Sequence, residues 1–120
     1  AKEGARMIET EVLNVLTAAL APVPVSMEVP SPMPGTFVVL EKTGTSRTDH
    51  ITTSTFAVQS WAPTVLDAAR LNEQAKAAME ALPARRGIGA ARLETDYNFT
   101  DTATHRYRYQ AVYRVVHGTI

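Results

Sequence analysis

Of the seven prolines in the chain, Pro22, Pro24, Pro30, Pro32 and Pro34 crowd into one stretch, and they limit what can be built on either side of it. A proline donates no backbone hydrogen bond and its ring clashes with the preceding turn, so no helix crosses this stretch and no central strand contains it. Upstream, Ile8, Val12, Val15, Leu16 and Ala19 recur at three- and four-residue intervals, with Glu9, Glu11 and Asn14 between them. That is the spacing of an amphipathic helix, with acids complementing its positive end and a stop near Leu20. Inside the stretch Val23, Val25, Met27 and Val29 alternate with Pro24, Ser26 and Glu28, which predicts a strand confined to a sheet edge. Pro30, Pro32 and Pro34 then make a stiff connection to Gly35.

Downstream, 36–43 and 51–61 are rich in β-branched and aromatic residues and predict two antiparallel strands. Between them the polar run from Gly44 to His50 reads as a long mobile tip, which makes Arg47, Asp49 and His50 candidate contact residues. Thr64, three residues before Asp67, resembles a capping box and opens a second helix. Ala68, Leu71, Ala75, Ala78, Met79 and Leu82 form its buried stripe, Arg70, Glu73, Lys76 and Glu80 its wet side, and Pro83 its end.

Gly87 and Gly89 mark the turn that follows. Then Leu93, Thr95, Tyr97 and Phe99 alternate with Arg92, Glu94, Asp96 and Asn98, and Tyr107, Tyr109, Ala111, Tyr113 and Val115 alternate with Arg106, Arg108, Gln110 and Arg114. Two half-buried strands joined by a hairpin at 100–104 are predicted. The fold class is therefore α+β: a mostly antiparallel sheet of four to five strands with two helices on one face, in the order α-β-β-β-α-β-β. The crossover through the second helix admits one parallel pair.

With 120 residues the chain supports one hydrophobic core. Residues 1–6 read as a frayed or foreign tail and 7–118 as a single domain. There is no cysteine, which removes disulfides, thiolate metal sites and cysteine nucleophiles. Twelve basic residues balance twelve acidic ones, so no overall field draws the chain to nucleic acid or an anionic membrane. Its apolar stretches are broken well short of the roughly 20 residues that span a bilayer.

The chemistry-bearing residues are scattered. Gly87-Ile88-Gly89 precedes a strand, whereas a phosphate-cradling loop precedes a helix. His50, His105 and His117 stand singly, and the cluster Ser46 to His50 sits on a predicted loop. No catalytic, cofactor or metal site is expected. Glu94 and Asp96 are placed on the solvent side of their strand, facing Arg106 or Arg108. The arginines Arg92, Arg106, Arg108 and Arg114 line a polar sheet face beside tyrosines, the composition of protein–protein hot spots. The tyrosines alternate onto the opposite face, which argues against a stacking platform for single-stranded nucleic acid.

Three segments, taken in order, resemble the tail terminator family, minor tail proteins of long-tailed bacteriophages. They are Val29-Pro30-Ser31-Pro32-Met33-Pro34-Gly35-Thr36-Phe37-Val38-Val39, then Phe56-Ala57-Val58-Gln59-Ser60-Trp61-Ala62 running into an alanine-rich helix, and Arg106-Tyr107-Arg108-Tyr109-Gln110-Ala111. Where the family often carries a basic residue this chain has Met33. The resemblance implies a non-enzymatic virion protein of phage or prophage origin, assembled in the bacterial host. It implies a homo-oligomeric ring, six copies in the family, that caps the tail tube and joins it to the head-neck connectors. In such a ring Arg106, Arg108 and Arg114 would meet acids such as Glu41, Glu94 or Asp96 of the next copy. The alternatives are a head-tail joining or stopper protein of the same particle, and a small-molecule-binding domain or enzyme.

Overall fold

The computed structural model describes residues 7–101, 103 and 106–118; the first six residues and His105 lie outside them. Helix α1 (Ile8–Leu20) ends at Ala21, whose backbone is already extended ahead of Pro22. It buries Ile8, Val12, Leu16 and Leu20. Glu11, expected on the wet side, is also buried: Arg85 holds its carboxylate at 3.1 Å. Glu9 pairs with Lys42, likewise at 3.1 Å.

The proline-bounded strand is at the edge but shrinks to β1 (Val25–Ser26), paired in parallel with β2 (Phe37–Thr48). Pro24 contributes only what a proline can: its carbonyl accepts from the Val38 N–H at 2.9 Å. Strand β3 (Ile51–Ala62) runs back antiparallel to β2.

The predicted long tip is not a loop. Both strands continue to a two-residue turn in which Asp49 and His50 have φ of 51° and 68°, the left-handed pair of a tight hairpin. Thr45, Thr48, Thr52, Thr53 and Thr55 are polar yet β-branched, so they suit a solvated pleat as well as they suit a loop.

Helix α2 (Val65–Glu80) begins at Thr64, whose hydroxyl accepts from the Asp67 N–H at 3.1 Å, half of the expected capping box. A 3₁₀ turn (Leu82–Ala84) and Gly87, at φ 89°, lead into β4 (Ile88–Asn98), which returns along β5 (Tyr107–His117). The sheet order is β1-β2-β3-β5-β4. Strands β3 and β4, joined by the α2 crossover, are parallel to each other but β5 lies between them, so among the described residues the one parallel ladder is β1 with β2.

Both helices cover the same face. One core joins Val12, Leu16, Leu71 and Met79 from the helices to Val38, Leu40, Phe56, Val58, Ala111, Tyr113 and Val115 from the sheet. A second, smaller cluster of Phe37, Val39 and Trp61 lies on the opposite face.

Candidate protein-interaction surface

The run Phe37-Val38-Val39-Leu40 is buried throughout, so this stretch of β2 packs on both faces of the sheet. Its odd-numbered residues begin rows of side chains that cross the face away from the helices. In the first row Phe37 lies opposite Trp61 and Trp61 opposite Arg108, with the Phe99 N–H bonded to the Arg108 carbonyl at 2.7 Å. The Phe37 and Trp61 rings stack at 5.2 Å between centroids. The Arg108 guanidinium carbon sits 4.6 Å from the Trp61 ring centroid and 4.1 Å from that of Phe99, and its Nε donates to the Phe99 carbonyl at 2.9 Å.

The next row is Val39, Gln59, Gln110 and Tyr97. Gln59 donates to Gln110 at 3.0 Å, Gln110 donates to the Tyr97 hydroxyl at 2.6 Å, and the Trp61 indole N–H donates back to Gln59 at 3.3 Å. Cross-strand neighbours at this spacing brace one another, so the two rows behave as one rigid patch. Burial lowers the Arg108 pKa below its ordinary value, while Asp101 and Tyr97 oppose the shift, and the group stays charged at neutral pH.

Tyr97 and Phe99 reach this face against the predicted alternation. The register between β4 and β5 slips between Leu93 and Thr95, leaving Glu94 as the extra residue of a bulge. Past the bulge, Thr95 and Tyr97 stand opposite Val112 and Gln110 on the far face, and Asp96 stands opposite the core residue Ala111. Tyr97 and Phe99 are therefore 40% and 43% exposed instead of buried. Asp96 does not face Arg106 or Arg108; it meets Lys76 at 2.8 Å and Asn72 at 2.9 Å beneath α2. Lys76 accordingly leaves the wet side of its helix for the seam.

The other predicted contact residues separate. Arg114 lies 3.7 Å from Glu94 on the exposed surface. Arg106 rests its Nε 3.1 Å from the Met33 sulfur, which brings the proline-rich segment toward the Arg108 end of β5. Arg47 donates to the Thr52 hydroxyl at 3.2 Å, while Asp49 and His50 form the exposed hairpin turn.

One pairing had no local signal because its partners are far apart in sequence. Ser54 Oγ lies 2.9 Å from His117 Nε2, and His117 Nδ1 lies 3.1 Å from the Gly118 carbonyl. A carbonyl only accepts, so in the neutral ring Nδ1 carries the proton and Nε2 accepts from the serine. The contact has the spacing of a nucleophile and its base, but Ser54 is fully buried, so no substrate atom reaches its oxygen. Nearby Ile51, Ile88, Val116 and His117 line an open apolar depression at the end of the sheet. Among the described residues no group of three or more His, Asp or Glu side chains gathers to hold a metal ion, and no helix is long and apolar enough to cross a membrane.

Comparison with known proteins finds no family model that matches the chain and no match among curated proteins.

Proposed function

We propose that this chain is a structural assembly subunit of the tail terminator kind, one member of a ring that caps a phage tail tube and offers a surface to the head-neck connectors. The observation that carries the reading is the Trp61-Arg108-Phe99 row. An arginine held between two aromatic rings, with exposed Tyr97 and Phe99 beside it, has the make-up of a protein–protein hot spot. It lies on the sheet face that neither helix covers. The three segments resembling the tail terminator family support the same reading, because each supplies one residue to that row: Phe37, Trp61 and Arg108.

The test is to add the purified protein to polymerising tube protein of the same particle and to measure tube lengths by negative-stain electron microscopy. Capping shortens the tubes and leaves density at one end. Tubes of unchanged length with bare ends would refute the reading. Binding to isolated head connectors without any effect on tubes would favour the stopper alternative.

A further inference from the structure

Ion pairs inside the chain leave an uneven remainder of charge. Glu9 is engaged by Lys42, Glu11 by Arg85, Asp67 by Arg70, Glu73 and Asp96 by Lys76, and Glu94 by Arg114, while Glu80 accepts from the Tyr113 hydroxyl. Among the described residues, Glu28, Glu41 and Asp49 have no such partner, and all three belong to the β1–β2 margin: just after β1, within β2, and at the turn that ends it. Among the described residues, the arginines outside ion pairs gather on the other margin, with Arg86 before β4, Arg92 within it, Arg106 beside β5 and Arg108 within β5, where the charge of Asp101 already acts on Arg108. Arg47 on β2 is the exception, and Thr52 engages it. Each margin also carries exposed apolar side chains: Met27 and Val29 after β1, and Leu93 and Tyr97 in β4 with Phe99 just after it.

We propose that copies of this chain associate head to tail, the β5–β4 margin of one against the β1–β2 margin of the next, with Arg108 receiving the carboxylate of Glu41. This inference rests on the assembly-subunit reading and names the surfaces that reading requires. Unlike patches that meet at a repeated angle generate a ring, whereas a self-complementary patch generates only a pair. Arg108 suits the role of anchor. Its Nε is committed to the Phe99 carbonyl and its plane is held by two rings, so little side-chain freedom remains to be lost on binding. Its partial burial strengthens a pairing that a fully solvated arginine would make weakly. Glu41 is exposed on the same face of the sheet, two strands away, too far across the sheet to serve Arg108 of its own chain.

The experiment measures mass by light scattering across a concentration series at low and high salt, with emission of Trp61, the only tryptophan, as a local reporter. Wild type is expected to assemble, with the emission shifting in step and salt weakening both. Glu41→Arg alters only an exposed side chain and is expected to raise the concentration for half-assembly at least about tenfold, as is Arg108→Glu. A one-to-one mixture of the two variants re-creates an opposite-charge pair at every contact and is expected to restore assembly. A wild-type chain that remains monomeric throughout overturns the inference, as does a folded Glu41→Arg variant that assembles like wild type. Either result leaves tube capping to be judged by tube length alone.

Discussion

Lys76 Nζ and Asp96 Oδ2 lie 2.8 Å apart across the seam between α2 and β4, with Asn72 Nδ2 on the same oxygen at 2.9 Å. The contact exists because the bulge at Glu94 turns Asp96 toward the helix. It fastens the outermost strand, β4, to the helical layer.

Asp96→Asn keeps the size of the side chain and removes its charge, so it is expected to cost about 1–3 kcal/mol, the range for a partly buried charge-assisted hydrogen bond. Urea unfolding checks this as a lower midpoint at unchanged slope. Loss of less than a few tenths of a kcal/mol would mean that the pair is a solvated ornament.

The pair also sets a pH window. The Lys76 hydrogen bond lowers the Asp96 pKa below its ordinary 3.8, against burial and with help from Asn72. A carboxylate with a lowered folded pKa adds stability that is present above 3.8 and disappears as pH falls through the folded value. Hydrogen bonds from Asp96 and then Glu73 raise the Lys76 pKa above 10.5, against burial. Its contribution is present below 10.5 and disappears as pH rises through the folded value. The stability difference between wild type and Asp96→Asn should thus hold steady around neutrality and shrink as pH falls below 3.8 toward the lowered folded value. A difference unchanged at about pH 2 would show that charge is not its source.

His50 occupies the left-handed region at φ 68°, where a side chain costs about 1–2 kcal/mol and glycine costs almost nothing. His50→Gly creates the Asp-Gly sequence preferred in such turns and is expected to raise stability by about 0.5–1.5 kcal/mol. The gain should appear as a higher melting temperature. A loss would mean that the imidazole makes a contact worth more than the strain.

Tyr113 is fully buried and donates its hydroxyl to Glu80 at 2.6 Å. Burial first, and the Glu80 carboxylate second, push its pKa far above the usual 10.0. Tyr113→Phe should therefore leave the tyrosinate absorbance titration unchanged up to about pH 11, provided the fold holds, and should cost about 0.5–1.5 kcal/mol. A titration step that vanishes in the variant would contradict this placement.

The sequence carried much of the architecture. Helical spacing located α1 and α2, and Pro22, Pro24 and Pro83 set their limits and the edge position of β1. The alternation in β5 assigned Ala111, Tyr113 and Val115 to the core correctly. These features were legible because they depend on local backbone chemistry and on a period that repeats over a single element. The polar ribbon to Asp49 was not, because threonine-rich strands and loops share a composition.

The interaction surface divides in the same way. Arg108 stood out from its sequence neighbours, but its partners did not: Trp61 and Phe99 come from other segments and meet it only through strand register, with Phe37 stacked behind Trp61. One extra residue, Glu94, exchanged the faces of everything after it in β4, sending Asp96 to the helices and Tyr97 to the open side. Alternation counted along a chain cannot reveal such a slip, because a bulge is defined by two residues facing one on a neighbouring strand. The amino-acid order determined which elements form and where they stop; the pairing of strands decided which side chains share a face.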